Sequence, residues 1–289
     1  MAAPGKRAFA GSGPRIGETG KFEGEFEVRK AAPFIKRRLE AWEKLYKKYT
    51  TELAEKPRKD IKIELPDGSL KDGKAFETSP MDVAMSISKG LAESVVVAKV
   101  IYKEAVESLQ QCVVADVEDE VEEQDPEQSV LWDLMRPLEG SCRLELLKFD
   151  HPKGQDVFWH SSAHILGQAL EREFGCHLTI GPALESGFYY DGFYGHKKLN
   201  DADFSAIEKH AAQICKESQL FERCVLSKEE ALELFKDNPF KVQLITNKVP
   251  DGATTSCYRC GDLVDLCRGP HLPNTNRAKA LKHKTLPNI

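Results

Sequence analysis

The stretch Ile61-Lys62-Ile63-Glu64-Leu65-Pro66-Asp67-Gly68 decides the fold of the front half of this chain. Its apolar residues alternate with charged ones, the period of a half-buried strand, and Pro-Asp-Gly is a turn signal. Downstream, Ser79 as N-cap, Pro80 at the first helical position and Gly90 after the end delimit a helix. Its Met81, Ala84 and Ile87 are expected to face inward. The β-branched run Val95-Val96-Val97-Ala98-Lys99-Val100, a strand containing Trp132, and Arg143-Leu144-Glu145-Leu146-Leu147-Lys148-Phe149 supply three more strands. Two strands, a helix and three strands make a β-grasp module over residues 61–150.

The segment ahead of this module changes pattern at Pro33. Ile35, Leu39, Trp42, Tyr46 and Tyr49 recur at helical spacing, with Pro33 suited to the first turn. Lys36, Arg37, Arg38, Lys44, Lys47 and Lys48 form the other face, read as solvated, with RNA contact as the alternative. Lys56-Pro57-Arg58-Lys59 ends the helix, so 33–60 is a helix and linker. Residues 1–32 are expected to be a disordered tail. They lack the apolar stretch of a secretory signal, and Glu18, Glu23, Glu25 and Glu27 make them acidic for a transit peptide. A cytoplasmic location is expected, with mitochondrial import the lesser alternative. Inside the module, residues 102–128 carry an acidic run from Asp116 to Glu127, expected to stay solvated through self-repulsion.

Composition narrows the classes. The 289 residues suffice for two domains, and 41% hydrophobic content is enough for a core. A net charge of −5 means that any nucleic-acid contact must come from local basic patches. There is no run of eighteen apolar residues to span a membrane. Eight cysteines are too sparse for a disulfide scaffold and are expected to be core residues, ligands or reactive groups.

The second half, 155–282, reads as a further α+β unit, with helices packed on an antiparallel or mixed sheet. A helix runs through His160-Ser161-Ser162-Ala163-His164. Turn and strand follow at Gly181-Pro182 and Gly187-Phe188-Tyr189-Tyr190-Asp191, then a helix from about Asp203 and another whose Ser227 and Glu230 form a capping box. The short segments Val242-Gln243-Leu244-Ile245 and Asp262-Leu263-Val264-Asp265-Leu266 come after it. On a helix, His160 and His164 share one face, and Asp265-Leu266-Cys267-Arg268-Gly269-Pro270-His271 is a second half of like spacing. An isolated H-x-x-x-H is more often a core or surface pair, and this one lacks the Glu of a zinc-protease helix. His160, His164, Cys267 and His271 form a tetrahedral zinc set on paper, and Cys257 with Cys260, Cys267 and His271 a rival one. His177, His196 and His210 are read as structural or surface.

Together, His160–His164, Gly187–Asp191, Asn238-Pro239-Phe240-Lys241, Tyr258-Arg259-Cys260-Gly261 and Asp265–His271 resemble the amino-terminal half of threonyl-tRNA synthetases. The module with Leu65-Pro66-Asp67-Gly68 and Trp132-Asp133-Leu134-Met135-Arg136-Pro137-Leu138 resembles the TGS domain of that family. The resemblance covers about 33–282. It implies that 155–282 is an α/β editing domain, shared with alanyl-tRNA synthetases, that hydrolyses seryl-tRNA(Thr). It also implies a pocket of His160, His164, Lys241, Asp265, Cys267 and His271, with Tyr189, Tyr190 and Arg268 on the substrate. His160 would place water, Lys241 would hold the oxyanion or protonate the leaving oxygen, and Asp265 would bind the α-amino group or steer an imidazole. No cofactor is then required, and zinc is the minority alternative. The partner implied is the acceptor end of tRNA(Thr), and the alternative function is a non-catalytic tRNA- or partner-binding module. ATP chemistry and dimerisation belong to a class II core, for which the chain offers no motif before Ile289. Residues 283–289 depart from the family pattern, so a fragment, a truncated isoform and a stand-alone editing factor all fit. Aminoacylation by this chain is not expected.

Overall fold

The computed structural model describes residues 14–17, 19–106, 109, 129–184, 187–279 and 281–282. The front unit begins with a hairpin, β1 (Asp60–Glu64) and β2 (Leu70–Lys74), whose turn holds Gly68 at φ +81°. The alternation is realised, because Ile61 and Ile63 are buried while Asp60 and Lys62 face water. Helix α2 (Pro80–Ile87) starts on a capping box of Ser79 and Asp82. Here the inward face differs from expectation: Val83 and Ala84 are buried, Met81 packs partly, and Ile87 is exposed. Gly90 does not end that helix. The Ser88 hydroxyl accepts the Leu91 N–H and starts a second helix, α3 (Lys89–Ser94), with Gly90 inside it.

Strands β3 (Val95–Tyr102), β4 (Val130–Trp132) and β5 (Cys142–Lys148) complete a five-stranded sheet of order β2-β1-β5-β3-β4. The first and last strands pair in parallel, Ile63 opposite Cys142, and every other pairing is antiparallel. This is the β-grasp topology. Most of the acidic insertion, the start of the expected tail and residues 283–289 lie outside the described residues.

The second unit is built on α4 (Pro152–Phe174), which packs against α5 (Asp201–Glu217). A three-stranded antiparallel sheet follows: β6 (Phe221–Ser227), β7 (Thr254–Cys260) and β8 (Leu263–Leu266), with β7 central. Between β6 and β7 lie α6 (Lys228–Leu234), on the Ser227–Glu230 capping box, and α7 (Pro239–Lys248). Val242–Ile245 falls inside α7, because Asn238 caps the two following amides and Pro239 sets the first turn.

Helix α1 (Pro33–Glu55) docks on this sheet through Trp42, which is fully buried beside Leu226, Leu234 and Val264. The basic face is not wholly solvated. Arg38 stands one turn before Trp42, on the same side, and is buried in a two-pronged pair with Glu171 of α4. The described part of the expected tail is also packed: Phe22 stacks on Phe193 at 4.3 Å and Phe26 lies 4.5 Å from His177. Four aromatic rings offer more burial than the acidic residues between them oppose. Val96, Val97 and Leu147 of the β-grasp sheet share one core with Val157, Ile165 and Leu178. Among the described residues no helix is long and apolar enough to cross a membrane.

Candidate functional site

Helix α4 carries His160 and His164 on one face, their rings 5.2 Å apart. The chain leaving β8 brings Cys267 and His271 against them. The His271 ring lies 4.5 Å from His160 and 4.4 Å from His164. The Cys267 sulfur is 3.3 Å from His160 Nε2 and 3.1 Å from His271 Nε2, and it accepts the Gly269 N–H at 3.2 Å. His164, Cys267 and His271 are buried, while His160 is partly open.

The tautomer of His271 follows from its neighbours. The single Ser161 hydroxyl proton goes to the Val157 carbonyl, 2.8 Å away, and a lone pair accepts the Leu272 N–H at 2.9 Å. His271 Nδ1, 3.1 Å from the same oxygen, must therefore donate, which leaves Nε2 unprotonated toward Cys267. Burial, then the neighbouring imidazoles of His164 and His160, push the His271 pKa well below its ordinary value, consistent with a neutral ring.

Beside this cluster lies a buried charge pair. Lys241 Nζ sits 2.7 Å from Asp265 Oδ1, and both side chains are almost fully buried. Asp265 also accepts from its following amide at 2.9 Å and from the Tyr190 hydroxyl, and its Oδ2 is 3.9 Å from His164 Nδ1. Burial alone would raise the carboxyl pKa; the Lys241 ammonium, His164 and the bonds from Lys241 and Tyr190 outweigh it and hold the group below the ordinary value. Lys241 is aimed by Asn238, which caps α7 and donates to the Leu178 carbonyl at 2.8 Å. Tyr190 reaches Asp265 because its ring lies on two glycines. A Cβ on Gly167 would stand 2.8 Å from the ring, and one on Gly181 2.5 Å.

All six residues expected in the pocket meet in this region. Tyr190 turns its hydroxyl to Asp265, whereas Tyr189 and Arg268 are exposed. The group His160, His164, Cys267 and His271 presents ligand atoms all within 4.8 Å of one another. Cys257 and Cys260 stand outside it, so the rival cysteine set is not assembled: both point into the cores beneath the sheet. A cavity of about 290 Å³ lined by Tyr49, Arg136 and Arg223 is elsewhere and holds none of these residues. Two participants were invisible in the sequence. Ser161 sits inside the first motif, but its partner is 110 positions away, and the aspartate that reaches His271 comes from the other unit.

Residues 61–148 match the TGS domain family, and residues 255–283 match the threonyl and alanyl tRNA synthetase second additional domain. The mitochondrial threonine-tRNA ligase 1 of Arabidopsis thaliana is 49% identical over 250 residues, 86% of this chain and 31% of that protein. The chain belongs to the threonine-tRNA ligase family. Its cytoplasmic members from Caenorhabditis elegans and Rattus norvegicus are each 43% identical, over 86% and 92% of this chain and 30% and 35% of their own lengths. The chain thus spans about a third of the length of the curated threonine-tRNA ligases it matches. These ligases include proteins named as cytoplasmic and one named as mitochondrial.

Proposed function

We propose that this chain hydrolyses seryl-tRNA(Thr), with the acceptor end of the tRNA as its partner. The observation that carries the reading is the partly open His160 at the edge of a buried polar cluster, with the Lys241–Asp265 pair alongside. Serine differs from threonine by one methyl group. A binding pocket discriminates such a difference by only about 1–3 kcal/mol, so a ligase of this kind needs a second, hydrolytic site.

Hydrolysis of an aminoacyl ester adds water to the carbonyl carbon, collapses the resulting oxyanion and returns a proton to the departing ribose oxygen. His160, the most accessible imidazole of the cluster, positions the water and takes its proton. Lys241 carries the cation and the proton supply for the oxyanion and the leaving oxygen. Asp265, already bonded to Lys241, Tyr190 and its own following amide, orients these groups and His164; this is the steering role, in preference to gripping the substrate amine.

The four-donor group also fits zinc. Its sulfur–nitrogen separations of 3.1 and 3.3 Å are near those of a tetrahedral site, and His271 turns a lone pair inward with Ser161 behind it. His160, His164, Cys267 and His271 would hold the ion, which with all four positions taken by protein would tie α4 to the segment after β8. Four protein donors leave no open position for water, so the hydrolytic reading gives the water to His160.

The test is deacylation of seryl-tRNA(Thr) and threonyl-tRNA(Thr) by the full chain, with metal analysis and with chelator. Turnover of the seryl ester is expected to survive metal removal and to fall at least about a hundredfold in His160→Ala and Lys241→Ala. Tight tRNA binding without turnover would sink this reading in favour of a non-catalytic binding module.

A further inference from the structure

The segment Trp132–Leu138 belongs to the β-grasp unit, and the hydrolytic reading leaves it without a task. It is a rigid turn. Leu134 and Leu138 are fully buried, the Leu134 carbonyl accepts the Met81 N–H at 2.9 Å, and the Asp133 carbonyl accepts the Arg136 N–H at 3.1 Å. The Trp132 indole N–H donates to the Arg136 carbonyl at 3.1 Å. Above that indole, at 3.4 Å, lies the Arg136 guanidinium, itself tied to Glu139 at 2.8 Å. A turn so cross-linked holds its one outward carboxylate, Asp133, at a fixed point on the edge of the unit.

That carboxylate bonds across the boundary between the two units. Asp133 Oδ1 accepts the backbone N–H of His271 at 2.8 Å, and Oδ2 accepts the Tyr258 hydroxyl at 2.7 Å. Tyr258 in turn packs edge-on against the His271 ring, centroids 4.6 Å apart. The loop presses so closely here that a Cβ on Gly269 would lie 2.2 Å from the Tyr258 hydroxyl oxygen. One carboxylate therefore holds both the backbone of His271 and the ring it leans on, and charge-assisted bonds of this length are the strong, directional kind.

We propose that Asp133 is a positioning residue for the pocket: it fixes His271, and through His271 Nε2 the Cys267 sulfur, so that the β-grasp unit completes the site of its neighbour. The effect on turnover rests on the hydrolytic reading; the hold on His271 does not.

The test compares the full chain with Asp133→Ala, Asp133→Asn and Asp133→Glu. Histidine ring NMR and seryl-tRNA(Thr) deacylation are measured on each, with kcat and KM separated. In Asp133→Ala the His271 resonances should move while those of His177 and His196 stay, and kcat should fall about ten- to a hundredfold with KM within about twofold. Asp133→Asn keeps an acceptor for the His271 N–H and should recover most of kcat. Where Asp133→Ala does not fold, Asp133→Glu, which keeps the charge and displaces it by one methylene, should give the same shifts. Unmoved His271 resonances in the folded variants overturn the proposal, as does wild-type kcat in Asp133→Ala. If the wild-type chain shows no deacylation while His271 still moves, positioning stands and the hydrolytic reading falls.

Discussion

Tyr190 shows how much a single side chain depends on what its neighbours lack. Its hydroxyl reaches Asp265 only because Gly167 on α4 and Gly181 in the following loop present no Cβ to the ring. Gly167→Ala would normally favour a helix, yet here it is expected to cost about 1–3 kcal/mol by forcing the ring aside. The same shift should loosen Asp265 and lower deacylation. Thermal unfolding and turnover of this variant check both, and an unchanged melting temperature would mean that the ring yields without cost. His160 and His164 were legible as a pair because helical spacing is local. Their meeting with Cys267, 107 residues from His160, was expected from the family resemblance and not from local spacing.

At the scale of elements, α1 is more than a basic helix on the surface. Its Trp42 fills the core beneath β6 and β8, and its Arg38 places a guanidinium against Glu171, a carboxylate on the same helix as the histidine pair. Removing one partner leaves a buried, uncompensated charge. Arg38→Met is therefore expected to cost about 3–5 kcal/mol, and Arg38→Met with Glu171→Leu to regain most of it. Urea unfolding of the two variants measures the difference; equal losses would show that the pair carries no coupling.

The packed N-terminal segment supplies a second test at this scale. His177 lies among Phe22, Phe26 and Phe34, and burial, reinforced by Arg38 and opposed by Asp237, lowers its pKa from 6.5 to about 4. The unfolded chain binds this proton near pH 6.5 and the native one only near pH 4. The contribution is therefore intact above pH 6.5, is lost progressively as the pH falls between these values, and is level below them. The loss should reach about 3 kcal/mol. His177→Gln should flatten that part of the stability–pH curve relative to wild type; parallel curves would place the titration elsewhere.

For the whole molecule, the shared core is the decisive feature. Val96, Val97 and Leu147 of one sheet pack with α4 of the other unit, and Arg277 donates to the Ala92 carbonyl at 2.8 Å from across the boundary. Calorimetry of the full chain is expected to show one cooperative transition instead of two. Two resolved transitions, with the β-grasp unit melting alone, would contradict this coupling.

Much of the architecture could be read from the chain in one dimension. The alternation of Ile61 and Ile63, the caps at Ser79 and Ser227, and the face shared by His160 and His164 are set by neighbours within a few positions, where propensity and periodicity act directly. The tertiary structure alone decided that Arg38 turns inward and that Asp133 crosses to His271, and it supplied the bonds by which Lys241 and Tyr190, expected at one pocket from the family resemblance, meet Asp265. Each of these joins groups brought together only by packing, or depends on a context that outweighs local pattern. Local periodicity specifies which face of an element is apolar, but it does not specify which distant polar group will lie opposite when that face is buried.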